Sequence, residues 1–198
     1  MKKAIMIGKG PSAVEVTKRQ GFDIVALNNA VSLCEVVDYL FINDFEVLDL
    51  INEDDWKKVK SLVIPIIPHY NKNPHPTKNY THFLENIPKP LPVVILHKLF
   101  KHQSHNNMDV PCYPIAWSVG TTAMQWMAEQ KYSFVEYCGI DPGGGYKDEF
   151  IILDKNNNPI NHAASADSSS DWYQHNYNLI NLIAKNNRIT LTRFKNEN

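Results

Sequence analysis

The chain has 198 residues, enough for one domain with a substantial core, and carries 20 Lys and Arg against 21 Asp and Glu. That balance leaves no basic stripe and no acidic arm, so a nucleic-acid partner is not expected. Cys34, Cys112 and Cys138 are odd in number, far apart and in no metal-ligand spacing, which predicts reduced, buried thiols rather than a metal site. Only four apolar residues lie between Lys3 and Gly8, far too few for a signal-peptide core or a membrane span, so a cytoplasmic protein is expected.

Lys3 to Ile7 reads as a first strand that ends in Gly8-Lys9-Gly10-Pro11-Ser12. Gly8 and Gly10 allow positive φ and close approach of a ligand to the main chain, and Pro11 suits a first helical turn. A helix is expected over about Ser12 to Arg19, with Ser12 as its cap, Glu15 reciprocating and free N–H groups facing an anion. Phe22 to Leu27 is a second buried strand ending in Asn28-Asn29, and Val31 to Val36 a short helix. Asp38 to Ile42 is a third strand ending in Asn43-Asp44. Helical pieces over Phe45 to Ile51 and Asp54 to Lys60 precede a fourth strand at Leu62 to Ile67. In a parallel sheet the clusters at Gly8–Gly10, Asn28-Asn29 and Asn43-Asp44 share one edge, where open α/β sheets bind ligands.

Residues 69–114, punctuated by prolines, read as an irregular insertion with a short helix near Thr81 to Asn86 and a strand at Pro92 to Leu96. His102 and His105 have an H-x-x-H spacing, but no carboxylate or cysteine set accompanies them, and solvated loop histidines are the expectation. Ser118-Val119-Gly120-Thr121-Thr122 opens a helix running to about Gln130, whose start could receive an anion or ribose hydroxyls, or could simply be capped by Ser118 or Thr121. Ser133 to Cys138 is a strand ending in Gly139-Ile140-Asp141. The polar stretch 142–170, with Tyr146, His162 and Asp167 beyond a glycine hinge, reads as a lid. A last helix, Asp171 to Lys185, and a last strand, Ile189 to Phe194, complete a single Rossmann-like α/β domain over residues 1–198, its mostly parallel sheet covered by helices on both faces.

Lys3 through Ser12, Asp23 through Asn28, and Phe41-Ile42-Asn43 resemble the first half of the small bacterial lipooligosaccharide sialyltransferases, which use CMP-sialic acid. Ser118-Val119-Gly120 and Tyr137-Cys138-Gly139-Ile140-Asp141 are similar to the same family's second signature. The related 6-hydroxymethylpterin diphosphokinase-like proteins share the G-x-G-P-S opening and the late strand end, but move diphosphate. The resemblance implies nucleotide contacts from Gly8, Lys9, Gly10 and Ser12, from Asn28 and Asn43, and from Gly120. It further implies a phosphate contact from Tyr146, where glycines replace the family's second tyrosine. Lys9 stands where the family has asparagine, and a lysine there would meet a phosphate as a point charge. For the family's general-base histidine the nearest candidates are His162, in the polar loop, and His175, in the last helix, while an ungapped match from the C-terminus puts Asp171 at the position instead.

The implied function is a sialyltransferase-like transfer from a CMP-linked sugar to a small or glycan acceptor, without a required cofactor or metal. His162 would take the acceptor's proton, while the first turn, Lys9 and Tyr146 would face the departing phosphate. Diphosphoryl transfer to a pterin-like acceptor is the alternative, with Mg²⁺ on Asp44 or Asp141. A non-catalytic nucleotide-binding module is a third reading, and the sequence is compatible with a homo-oligomer.

Overall fold

A computed structural model describes residues 1–43, 45–66, 85, 87, 93–98, 118–143, 145–151, 155–157 and 170–195. Its strands are β1 (Lys2–Ile7), β2 (Phe22–Leu27), β3 (Tyr39–Phe41), β4 (Ser61–Ile66), β5 (Val93–Lys98), β6 (Tyr132–Cys138) and β7 (Thr190–Arg193). They form one sheet in the order β5-β4-β3-β2-β1-β6-β7, and every pairing is parallel. The Rossmann-like α/β class read from the sequence is therefore the observed one. The strand expected at 92–96 is β5, an outer strand of this sheet, so that part of the 69–114 segment belongs to the sheet itself. Most of the rest of that segment, including His102 and His105, lies outside the described residues.

The strands read as unbroken apolar runs because both sheet faces are covered. One face buries Ile5, Ile7, Ile24, Ala26, Leu40, Ile42, Leu62 and Ile64. Over it lie the chain from Ala13 to Val16, a 3₁₀ turn at Asn28–Leu33, a second at Phe45–Leu50, and the short helix α1 (Glu53–Lys57). The opposite face buries Ala4, Met6, Val25, Leu27, Phe41 and Val63 under α2 (Val119–Glu129) and α3 (Ser170–Asn186). Among the described residues no helix is long and apolar enough to cross a membrane.

One expected element is missing, and it is the one after the first glycine turn. Residues Ser12 to Arg19 form no helix; the chain runs extended and makes a parallel bridge, Val16 to Cys34. Val16 N–H donates to Leu33 O at 2.8 Å, and Glu35 N–H donates to Val16 O at 3.2 Å. Val14, Val16 and Thr17 are β-branched and poor helix formers, and this stretch is too short to hold a helix by propensity alone. Burying Ala13 and Val16 against the sheet with backbone partners on the 33–35 segment wins.

The order of strands explains where a crevice can form. From β1 the chain moves outward through β2, β3, β4 and β5, then returns to place β6 on the other side of β1. Chain ends diverge at such a reversal, which leaves a gap above the carboxyl ends of β1 and β6. The two strand ends are locked together without side chains. Gly8 N–H donates to Cys138 O at 2.9 Å, and Gly10 N–H to Gly139 O at 2.8 Å. A Cβ on Gly8 would overlap the Gly139 carbonyl, and one on Gly139 would overlap the Gly8 carbonyl. Gly139 alone of these glycines has left-handed backbone, at φ +65°. Thus Gly8 and Gly10 are glycine because another backbone lies against them, not because of positive φ as the sequence suggested.

At the amino end of β3, Asp38 accepts hydrogen bonds from Ile24 N–H at 2.8 Å, from Lys60 at 2.8 Å and from Lys18. Burial by itself would raise its carboxyl, but these donors outweigh burial and hold it below the ordinary value.

Two predictions follow from this frame. Gly139→Ala combines a left-handed strain with backbone overlap and is expected to cost at least about 2 kcal/mol, read as a lowered denaturant midpoint. The folded-state pKa of Asp38 is depressed, so its stabilisation is present above its ordinary value of 3.8 and is lost as pH falls through the lower folded pKa. Asp38→Asn should therefore lower thermal stability at neutral pH, and the difference from the parent should shrink below about pH 4.

Candidate functional site

Above the reversal lies a crevice of about 640 Å³, counting the open solvent at its mouth. Its floor is the paired glycine turns, Gly8-Lys9-Gly10 and Gly139-Ile140-Asp141. The end of β2 supplies Leu27 and Asn28, the start of α2 supplies Ser118, Val119 and Gly120, and Gly145 and Tyr146 close one side. The remaining wall comes from α3, through Tyr173, Asn176, Tyr177 and Ile180. The mix of apolar walls with a few polar groups suits a small organic ligand.

Asn28 is the most constrained of these residues. It is only 6% exposed, its backbone is left-handed at φ +53°, and its Oδ1 has no hydrogen-bond partner within the described residues. A buried amide oxygen without a donor costs about 1–3 kcal/mol, and a left-handed non-glycine residue adds strain. Two unfavourable terms at one crevice-lining residue mark a place where a ligand can supply the missing donor.

At the start of α2 the Ser118 and Thr121 side chains cap each other's backbone in a reciprocal box: Ser118 Oγ accepts from Thr121 N–H at 3.2 Å and Thr121 Oγ1 from Ser118 N–H at 3.2 Å. The hydroxyls are thus occupied in capping. The N–H groups of Val119 and Gly120, which have no acceptor inside the helix, stand at the crevice wall with the positive end of the helix dipole. Gly120 is small for a second reason, since a Cβ there would come within 3.1 Å of Ile180 Cδ1.

Electrostatics around the floor are divided. The Lys9 ammonium lies over the Tyr146 ring, 4.2 Å from its centre, and Lys9 O accepts from Lys147 N–H at 2.8 Å. These contacts tie the segment after β6 back to the first turn. Asp141 has both carboxylate oxygens engaged: Oδ2 accepts from Ser12 N–H at 2.9 Å and Oδ1 from Arg193 at 2.9 Å. Its charge is offset by Arg193, and its geometry is that of a clamp between β7 and the first turn. The Mg²⁺ role considered for Asp141 would require it to give up these partners; Asp44 lies outside the described residues. Among the described residues no cluster of three or more His, Cys, Asp or Glu is arranged to hold a metal.

Gly8, Lys9, Gly10, Asn28, Gly120 and Tyr146 are thus brought together from four separate parts of the chain. Ser12 is not a wall residue. Its hydroxyl accepts from Gly139 N–H at 2.9 Å, so it is neither a helix cap nor a free donor to the crevice but a brace beneath it. Asn43 also stands off the crevice; buried at 6% exposure, it donates from Nδ2 to Thr122 Oγ1 at 3.2 Å and ties the end of β3 to α2. Asp171 is exposed in the first turn of α3 and lines no part of the crevice, and His175 is likewise exposed. His162 lies outside the described residues, as does most of 152–169 within the expected lid.

The α3 wall was not foreseen, although its signal is present. Tyr173, Asn176, Tyr177 and Ile180 stand at i, i+3, i+4 and i+7, one stripe of a helix. Ile180, Ile183 and Ala184 on that helix are core, so the stripe's polar end lies beyond the sheet edge, on the crevice. Burial raises the Tyr173 hydroxyl above its ordinary pKa, opposed by a hydrogen bond from the Gly145 backbone. Tyr137, behind the crevice on β6, is pushed up to about 12, first by burial and then by its hydrogen bond with Tyr177. The Cys138 thiol, beneath the floor, is pushed up to about 11, first by burial, and so is inert as a nucleophile at neutral pH.

Fold and crevice together define an α/β protein with a Rossmann-like parallel sheet and a crevice at its topological reversal. No protein-family model matches the chain. Comparison with curated proteins and with solved structures finds no match either.

The brace makes a specific expectation. Ser12→Ala removes the acceptor for Gly139 N–H and should destabilise the fold by about 1–3 kcal/mol in urea denaturation. Lys9→Ala removes a crevice-lining cation and its contact with the Tyr146 ring, and should lower the unfolding free energy measured in urea by about 1 kcal/mol, the size of a partly solvated cation–π contact.

Proposed function

We propose that the chain is a transferase acting on a nucleotide-activated sugar, sialyltransferase-like, with a CMP-linked donor seated in the crevice and a small or glycan acceptor approaching from its mouth. The observation that carries the nucleotide reading is Asn28: buried, left-handed and lacking a donor for Oδ1, at the end of β2 beside the start of α2. A nucleoside offers what this corner lacks. Its ribose hydroxyls or exocyclic amine can donate to Oδ1, and its acceptors can meet the Val119 and Gly120 N–H groups. The phosphate end then falls toward Gly8-Lys9-Gly10, Tyr146 and the α3 tyrosines, a group of donors and one cation around a developing negative charge. That assignment agrees with the resemblance of Lys3–Ser12 and Tyr137–Asp141 to the sialyltransferase signatures.

In this reading His162, in the polar stretch before α3, takes the proton from the attacking hydroxyl, with Asp171 the second candidate for that role. Leaving-group stabilisation rests on the floor and on Lys9.

The test is a thermal-shift screen with CMP, CDP, UDP, a CMP-linked sugar and ATP with Mg²⁺. A nucleotide present at a hundred times its Kd stabilises the folded state by about 2.7 kcal/mol, roughly 5–10 °C for a chain of this length. Asn28→Gly sharpens the result, because glycine accepts the left-handed backbone without strain yet removes the orphan oxygen. The variant is expected to match or exceed the parent in ligand-free Tm and to bind the nucleotide about tenfold more weakly. No shift with any cytidine or uridine ligand would overturn the reading. A shift confined to ATP with Mg²⁺ would move the assignment to diphosphoryl transfer.

A further inference from the structure

The hydroxyls of Tyr137 and Tyr177 lie 2.8 Å apart, and the rings pack edge to face with centres 6.1 Å apart. Each phenol has one proton, and the bond between them uses one of the two. The other proton has no acceptor among the described residues. Tyr177 lines the crevice, whereas Tyr137 stands behind it on β6, beside the Asp141–Arg193 pair. Only one arrangement lets an acceptor in the crevice use the spare proton: Tyr137 donates to Tyr177, and Tyr177 donates to the ligand. A phenol that is itself receiving a hydrogen bond is a stronger donor, so the pair is polarised toward the crevice.

The surroundings select the kind of acceptor. Lys9 brings a cation and the α2 start brings its positive end, while among the described residues the one carboxylate lining the crevice, Asp141, is paired with Arg193. A donor in such a field is matched by a charged oxygen, for which hydrogen bonds are shorter and stronger than for a neutral one. Resting on the nucleotide reading above, we propose that Tyr177 donates to the ligand's phosphate and that Tyr137, by donating to Tyr177, is the positioning residue that aims and strengthens that bond. The nucleoside part of the ligand is then held by the Asn28 and α2 corner and is indifferent to this pair.

The experiment is calorimetric binding of CMP and of cytidine to the parent, to Tyr177→Phe, to Tyr137→Phe and to the double variant, with Tm recorded for each. Phenylalanine keeps both rings and their packing, so the variants are expected to fold. Tyr177→Phe should weaken CMP by about tenfold and leave cytidine unchanged within about twofold. Tyr137→Phe should weaken CMP by several-fold when Tyr177 is present and have no effect in the Tyr177→Phe background. Equal losses for CMP and cytidine, or effects that simply add, would overturn the proposal and leave the nucleotide reading standing. The parent alone also decides: cytidine binding as tightly as CMP overturns the phosphate assignment without any variant. Failure of the parent to bind any of the nucleotides in the thermal screen overturns both.

Discussion

Two glycine turns, one after β1 and one after β6, run against each other with no side chain between them. The Gly8 and Gly139 carbonyls occupy the space a Cβ would need on the opposite residue, and N–H groups of Gly8 and Gly10 are satisfied by Cys138 and Gly139. Such an approach lets two strands adjacent in the sheet but 131 positions apart in sequence turn away together at the same height. Everything at the crevice is referenced to this contact. Ser12 braces it through Gly139, Asp141 crosses back to Ser12 N–H, and Arg193 on β7 secures Asp141 from outside. With larger residues at these positions the floor would have to open, and the walls above it would lose their common base.

Around that base the described walls carry an amide and helix-start N–H groups from β2 and α2, a cation from the first turn, a carboxylate paired with Arg193, and an amide and phenols from α3. A ligand with both an uncharged heterocyclic part and an anionic part finds partners in such a set. The strain held at Asn28 belongs to the same logic, since an unmet acceptor in a left-handed residue is retained only where the surrounding structure imposes it. The reading proposed for the chain rests on that residue and the groups around it rather than on a reactive side chain.

Much of the fold was legible from the residues. The apolar runs at 3–7, 22–27, 62–66 and 133–138 are strands because a parallel sheet buried on both faces needs continuous hydrophobicity. Most of the residues read from the sequence as nucleotide contacts line the crevice: Gly8, Lys9, Gly10, Asn28, Gly120 and Tyr146. The failures have physical causes. The helix expected after Pro11 lost to an extended run whose β-branched residues found backbone partners at 33–35, a long-range choice with no local mark. Ser12 and Asn43 were read as ligand contacts because short polar residues end strands at binding edges; the same property lets them brace neighbouring backbone and side chains instead.

By itself, then, the amino-acid order determined a parallel α/β sheet, the positions of its strand ends, and the clustering of glycine, asparagine and hydroxyl residues at them. These are consequences of local periodicity and of strand direction, and they are written residue by residue. Only the tertiary structure decided which of those residues face empty space and which face each other. The glycines' partner is another glycine turn, the α3 stripe ends on the crevice because the sheet stops beneath it, and Tyr137 meets Tyr177 only when β6 and α3 pack. Such contacts join segments far apart in the chain, and no property of either segment alone specifies the other.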